Sequence, residues 1–395
     1  MSERYIFTSN SVTAGHPDKL CDQISDALVD RFLRVDPNAS VNAECAVAKG
    51  VLFLALRSNS TASLEVAKVA RRVIERVGYT SGPFRAQDCS VMTSVQEVDP
   101  VKQLPEEKGL VLVAIARVPA RHQVTVFGFA CGQTPDFMPL PVWLAHKLAR
   151  RLSEVRENAE ISGLAPDGQV QVAIENEGRR QLRVHAINLV TAIAQGSELD
   201  DQELASEIKA RVVEPVVADQ DIAPDRKTDI LVNPEGLSVA GGPDRHAGLT
   251  GRKTGIDTYG DYSRHSGTAL SGKDPGRIDR ISAYAARYAA KNVVAARLAR
   301  ECEVVLSYAI GRADPVSLHV ETFGTGEIPD GEIAKRLRSF FDFRPAAIVA
   351  EFNLRHLPAS SKGPFYERLA AYGQVGRSDL PLPWESIGRA EELLD

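Results

Sequence analysis

Cysteine is scarce in this chain: Cys21, Cys45, Cys89, Cys131 and Cys302 are scattered across 395 residues. An odd, dispersed set excludes a disulfide scaffold and gives no zinc-ligand spacing. No apolar run approaches a membrane span. The polar opening from Met1 to Ser11 lacks the apolar centre of a secretion signal, so the expectation is a cytoplasmic protein with no membrane contact. Positive charge is not in excess: the formal net charge is -5, which argues against a nucleic-acid partner. The nucleotide loop with four residues between Gly and Gly-Lys-Ser/Thr is missing. Ser9 and Ser11 have no assignable base, and no histidine pair stands at metal-ligand spacing, since His319 reads as strand and His356 as loop. No low-complexity linker cuts the chain.

What is present is ordinary in bulk and unusual in detail. Apolar residues make up 44% and charged residues 25%, the balance of a soluble globular protein. The length calls for two or three domains. Periodicity predicts a helix over Lys19–Leu33, stopped by Asp36-Pro37-Asn38, then strands Val41–Val47 and Val51–Leu56 around a Lys49-Gly50 turn. A helix over Leu64–Val77 ends at Gly78, and a strand follows near Ser90–Val95. Gly109–Val118 and Val124–Cys131 are apolar and β-prone. Pro141–Arg156 reads as helix, Val170–Asn176 and Gln181–Val190 as a hairpin, Gln202–Val217 as helix and Thr228–Val232 as strand. Later come an alanine-rich helix over Arg280–Cys302, strands Val304–Ile310 and Ser317–Thr322, helices Glu332–Phe341 and Tyr366–Tyr372, and a peripheral terminal helix over Glu385–Asp395. The recurrence of paired strands and helices of similar length points to repeated α+β units.

Three stretches carry chemistry. Gly15-His16-Pro17-Asp18-Lys19 offers a histidine and a carboxylate at a helix start. Read blandly, Asp18 is an N-cap aspartate and His16 a surface histidine; read functionally, Asp18 ligates Mg²⁺ while His16 donates to a phosphate oxygen. Gly248–Lys253, Gly-Leu-Thr-Gly-Arg-Lys, presents Arg252 as a fork of donors and Lys253 as a point charge, with glycines for close approach. Ser271–Arg280 sets Lys273, Asp274, Arg277, Asp279 and Arg280 at a helix opening, where backbone amides favour an anion. With Arg264 and His265 between them, the three stretches read together as a Mg-polyphosphate site. Glu44 stands out as a carboxylate expected to be buried in a strand.

These runs resemble the methionine adenosyltransferase (S-adenosylmethionine synthase) family. The resemblance rests on Phe7-Thr8-Ser9, Gly15–Lys19, Asp22–Asp26, Gly241-Gly242-Pro243, Gly248–Lys253, Ser271–Arg280, Ala283–Tyr288, Ser307–Gly311 and Val320–Thr325, in the family's order. It implies an α+β fold of three similar α/β-sandwich domains with pseudo-threefold symmetry. Their boundaries are expected at 1–100, 101–239 and 240–395, with strands exchanged between them. It implies a homodimer or homotetramer with active sites between subunits. The implied reaction is attack of the methionine sulfur on C5′ of ATP, with release and hydrolysis of triphosphate, using Mg²⁺ and K⁺. By resemblance His16, Lys273, Arg252 and Lys253 are catalytic, and Arg277 joins the phosphate contacts where the family has a lysine. Asp167 contacts the ribose, Asp18 and Asp279 hold Mg²⁺, and Glu44 lies near the monovalent cation.

Other positions depart from the family's pattern. Ala55-Leu56-Arg57 replaces Gly-Gly-Glu, Glu97-Val98-Asp99-Pro100 replaces Lys-Gln-Ser-Pro-Asp, and Arg121-His122-Gln123-Val124 replaces Gly-Asp-Gln-Gly. Gln169 replaces a lysine and His246 an aspartate. With Arg57, His122 and His246 lining the amino-acid pocket, the expectation is a divergent member whose acceptor is L-methionine or a related, more anionic or amine-free compound. A triphosphate-cleaving homologue and a non-catalytic regulatory homologue are further alternatives.

Overall fold

The computed structural model describes residues 3–60, 62, 64–98, 115, 117–218, 220–239 and 241–394. In chain order the elements that position the site are β1 (Arg4–Val12), α1 (Pro17–Val35), β2 (Val41–Ala48), β3 (Val51–Ser58), α2 (Val66–Val77), β4 (Ser90–Glu97), β5 (Val124–Cys131) and α3 (Leu140–Glu157). Then come β6 (Leu164–Glu177), β7 (Arg180–Ile193), α4 (Asp201–Ile208), β8 (Pro224–Val232), β9 (Ser238–Val239), β10 (Gly248–Leu249), α5 (Thr254–Asp257), α6 (Ile278–Ala295), β11 (Glu301–Tyr308), β12 (Ser317–Glu321) and α7 (Asp330–Phe340).

Among the described residues the strands form three sheets, ordered β10-β2-β3-β4, β1-β6-β7-β8 with β9 beside β7, and β12-β11-β5. Each carries helices on one face. The sheets trade strands across the chain. β1 pairs antiparallel with β6 from Arg4↔Glu177 to Val12↔Gln169, β10 pairs with β2, and β5 pairs with β11. The long helices α1, α3 and α6 are buried on nearly every side, as central helices must be. Close approach is built into the sequence: a Cβ on Gly128 of β5 would collide with the Ala286 backbone of α6. Among the described residues no helix is long and apolar enough to cross a membrane.

α1 starts at Pro17 rather than Lys19, because Pro17 needs no N–H partner there and His16 Nδ1 accepts the Asp18 N–H at 3.2 Å. It also carries four carboxylates one turn apart, and each takes backbone N–H groups from residues between Leu249 and Glu367. Asp18 accepts from Leu249 at 3.0 Å and Asp22 from Gly251 at 2.7 Å. Asp26 accepts from Gly272 at 2.8 Å, and Asp30 from Tyr366 at 3.0 Å and Glu367 at 3.1 Å. Asp26 also receives both Nη atoms of Arg280, at 2.7 and 2.9 Å, with both side chains fully buried. Lys19 is fully buried between Asp22 and Asp257. Burial opposes its charge, but the two carboxylates outweigh it and hold its pKa above the ordinary lysine value. Burial pushes the Asp257 carboxyl up to about 7.

The sequence reading needs correction at three elements. The helix expected over Gln202–Val217 breaks after α4 into a π-helical stretch, Lys209–Val213, and a last turn, Glu214–Val217. Pro215 has no N–H for the Arg211 carbonyl, which accepts from Arg151 Nε at 2.9 Å instead. α6 stops at Ala295, and Arg297 reverses the chain with φ 59° before β11. The terminal stretch is not a peripheral helix: Pro383–Glu385 and Glu391–Leu394 are 3₁₀ turns, Trp384 is fully buried, and Glu385 receives Arg287 at 2.9 Å and Lys291 at 2.7 Å. The run Gly109–Val118 lies mostly outside the described residues.

Breaking a buried pair leaves an uncompensated charge, which costs about 3–5 kcal/mol. Asp26→Ala should therefore lower unfolding free energy by an amount of that order, read by urea denaturation. A loss below about 1 kcal/mol would show that the Asp26–Arg280 pair does not anchor the fold.

Candidate active site

The structure sorts the expected residues into two groups. The first gathers at the start of α1. Gly248 allows it, because a Cβ there would strike the Pro17 carbonyl. The loop behind β10 then brings Arg252 Nε to 2.8 Å and Lys253 Nζ to 3.9 Å from Asp18. Asp18 is fully buried, and its Oδ2 has no hydrogen-bond partner among the described residues. Asp167 lies beside it on β6, accepting from Gly242 N–H at 2.7 Å and His246 Nε2 at 3.0 Å. The His16 and His246 rings are 4.9 Å apart. A cleft of about 450 Å³ opens from Arg252 and Lys253 along β1, β6 and β7, with Gln169 and Asn188 on its wall.

His16, Asp167 and His246 bring ligand-type atoms within 4.8 Å of one another. They are not arranged as a metal centre. His16 Nδ1 is occupied by its own helix cap, so the neutral ring carries its proton on Nε2. His246 Nε2 already donates to Asp167. His16 thus presents its Nε2–H as a donor, which suits an oxyanion or hydroxyl, whereas the His246 N–H is spent on Asp167. Burial is the main cause that lowers the His16 pKa to about 4, with Lys253 and His246 helping and Asp167 and Asp18 opposing. His16 is therefore a neutral donor at working pH.

The second group surrounds the start of α6. Asp279 Oδ1 lies 3.5 Å from Lys273 Nζ and 3.1 Å from His122 Nδ1, while its buried Oδ2 has no partner among the described residues. Burial lowers the Lys273 pKa against the charge of Asp279. The Lys273 loop runs beside β2, with Ala43 N–H donating to the Gly272 carbonyl at 2.8 Å.

Several expectations change here. Asp18 and Asp279 do not meet in one chain. Asp18 sits at one end of the α1 carboxylate row, and Asp279 adjoins Arg280, which binds Asp26 eight residues on, roughly 12 Å along the helix. Glu44 is not buried: β2 alternates, and Glu44 falls on its exposed face, bonded to Asn42 at 3.2 Å. Arg57 is exposed on β3 and donates to Gln96 at 2.9 Å, away from His246. Arg277 lines a separate small cavity with Arg121 and Arg355. Arg280 and Arg264 are structural: Arg264 Nε reaches Glu303 at 2.7 Å. Ser11, read as lacking a base, hydrogen-bonds the buried His146 at 2.8 Å. Sequence reading missed the anchoring roles of Asp22, Asp26 and Asp30, although their four-residue spacing from Asp18 was a readable signal.

Comparison with known proteins settles the family. Models of the N-terminal, central and C-terminal domains of S-adenosylmethionine synthetase match residues 4–100, 117–237 and 240–386. The chain belongs to the S-adenosylmethionine synthetase family. It has the family's three-domain fold, in which strands cross between units. It is 46% identical to the S-adenosylmethionine synthase of Trichormus variabilis, over 100% of this chain and 97% of the relative. The enzymes so named from Microcystis aeruginosa and Gloeobacter violaceus are 45% and 46% identical, over 100% and 99% of this chain and 98% and 97% of theirs. That likeness overturns the expectation of a divergent member with a changed acceptor pocket. Within one chain, both histidines are engaged by carboxylates, His122 by Asp279 and His246 by Asp167.

The His16 shift has a pH signature. The unfolded ring protonates near 6.5 and the folded one only near 4, so the contribution of a neutral His16 is complete above pH 6.5 and is lost as pH falls toward 4. His16→Asn keeps a cap without titrating. The wild-type stability curve should fall below that of this variant by about 3 kcal/mol over the window. Parallel curves from pH 7 to 4 would refute the assignment.

Proposed function

We propose that the protein is an ATP-dependent methionine adenosyltransferase, moving the 5′-adenosyl group of ATP to the sulfur of L-methionine and releasing and hydrolysing the triphosphate. The observation that carries the reading is full-length likeness to proteins named S-adenosylmethionine synthase, joined to cationic loops placed beside buried carboxylates.

The sulfur lone pair attacks C5′ as the C5′–O bond breaks and the electron pair leaves with the triphosphate. No covalent enzyme intermediate is needed. Rate comes from alignment and from stabilising charge on the departing oxygen. Arg252, Lys253 and Lys273 supply that charge, the neutral His16 donates from Nε2, and Asp167 holds the ribose. The buried, unpartnered Oδ2 atoms of Asp18 and Asp279 fit a hard divalent cation. Mg²⁺ bound there would supply further neutralisation of phosphate oxygens. The K⁺ expected at Glu44 finds no cradle in a single chain, where that side chain is exposed.

The two groups belong to one site only if a second copy brings them together. The open face of the β2-β3-β4 sheet beside Glu44 exposes Val51, Phe53 and Met92, and the cleft beside Arg252 lies on the open face of the β1-β6-β7 sheet. We infer a homodimer in which the Asp18 group of one copy faces the Asp279 group of the other.

Two experiments test these readings. Lys273→Ala should cut turnover by roughly a hundredfold, about 3 kcal/mol of transition-state stabilisation; an unchanged rate of adenosyl transfer removes Lys273 from the site. Asp18→Asn and Asp279→Asn should each be nearly inactive. Co-expressed, they should regain activity in mixed dimers, where one site carries both lesions and the other none. No recovery in purified mixed dimers would place both carboxylates in a site within one chain.

A further inference from the structure

α2 ends at Gly78, whose φ of 113° is a left-handed turn that glycine takes freely. A Cβ at Gly78 would strike the Arg156 guanidinium, which donates to the Val77 carbonyl at 2.9 Å. Beyond this turn Tyr79 reaches the loop that opens α1. Its N–H donates to the Ile74 carbonyl at 3.1 Å, and its ring packs edge-on against Phe84 with centroids 5.1 Å apart. Tyr79 is buried, and its hydroxyl donates at 2.5 Å to the carbonyl of Gly15, the residue before His16. On the other side, a Cβ on Gly242 would collide with the same hydroxyl. Gly242 has φ 74°, so its conformation and this close approach both call for glycine. Its N–H is the one that binds Asp167 at 2.7 Å. Two contacts close the ring: a Cβ on Gly15 would meet the Pro166 carbonyl, and Thr13 Oγ1 donates to that carbonyl at 2.7 Å. Burial and the nearby Asp167 charge, against Arg156, push the Tyr79 pKa well above its ordinary value, so the hydroxyl stays a donor.

We propose that Tyr79 is a positioning residue of the nucleotide site: its hydroxyl, wedged between Gly15 and Gly242, sets the gap between His16 and Asp167 that receives ribose and phosphate. The role rests on the adenosyl-transfer reading of that site and deepens it. Tyr79 acts through backbone on both sides, since Gly15 carries His16 and Gly242 fixes the Asp167 carboxylate. What it controls is aim. A hydrogen bond from His16 Nε2 weakens steeply when misaligned, and a misplacement of about 1 Å can cost on the order of a hundredfold in rate. Without the hydroxyl, the Gly15 carbonyl loses its partner and the two loops lose the spacer that keeps them in register.

A double-mutant cycle tests the role, read as the affinity of the full-length protein for a non-hydrolysable ATP analogue with Mg²⁺ by titration calorimetry. Tyr79→Phe keeps the ring and removes the hydroxyl, and should weaken the analogue roughly tenfold. His16→Asn should weaken it at least as much. In the double variant the Tyr79 change should add less than about twofold, because the aim of His16 no longer counts; a tyrosine that only supports the fold would multiply the two losses. Thermal melting checks folding; if Tyr79→Phe fails to fold, Tyr79→Met decides by the same cycle. In turnover, kcat of Tyr79→Phe should fall roughly tenfold while KM for methionine changes by no more than about twofold. Unchanged analogue affinity in Tyr79→Phe would overturn the proposal, as would multiplied losses or a defect confined to the methionine KM. The reaction is judged separately, on the wild type: analogue binding without any adenosyl product from ATP and methionine would overturn the transfer and leave the cycle to decide Tyr79. A wild type that binds no analogue would overturn both.

Discussion

Everything in the site hangs on the carboxylate row of α1. Asp18, Asp22, Asp26 and Asp30 each take backbone N–H groups from loops that follow more than two hundred residues later. The loops that serve Asp18, Asp22 and Asp26, around Gly248–Lys253 and Ser271–Arg280, have little regular structure of their own and cannot satisfy their amides by a ladder, while Asp30 takes the first amides of a short helix, Tyr366–Leu369. The helix supplies acceptors at one-turn spacing, a rigid ruler against which irregular backbone is set. Charged acceptors make these bonds stronger than ordinary peptide pairs.

The same row carries a cost that the fold offsets unevenly. Like charges along one face repel, and burial raises the Asp30 pKa to about 7. Arg280 and Lys19 cancel part of this from within, while backbone dipoles handle Asp30. Asp18 alone keeps an oxygen idle, and it is the member nearest the cationic loop. Structural and chemical duty are thus graded along one helix: the interior carboxylates are spent on anchoring, and the one at the end stays free to bind.

Much of this was legible in sequence. The placement of strands and the turn at Lys49-Gly50 follow from local chemistry, and the family was readable from its motif runs; the helix cap, expected at Asp18 beside a surface histidine, falls instead at a buried His16. What failed was the inference from identity to pointing. Arg277 and Arg280 share a stretch and a charge, yet one lines a cavity and the other is locked to Asp26, because α6 turns them to different sides. Glu44 read as buried, but strand alternation places it outward in one chain. Arg57, His122 and His246 looked like neighbours in an altered pocket because each replaces a family acid. The fold gives both histidines carboxylate partners, Asp279 and Asp167, information that no local pattern contains.

The exchange of strands has a consequence for how the chain comes into being. β1 emerges first but pairs with β6, about 165 residues later; β2 must wait for β10 to complete its edge, and β5 for β11. No sheet closes until sequence from another third has been made. Folding domain by domain during synthesis, the usual course for a chain of this length, is therefore barred at the edges, and the long loops must be closed before their contacts repay the entropy. Half-made chains would expose unpaired strand edges of β2 and β5, templates for association. The interlock of strands that shapes the finished protein thus leaves those edges of its nascent form open until β10 and β11 have been made.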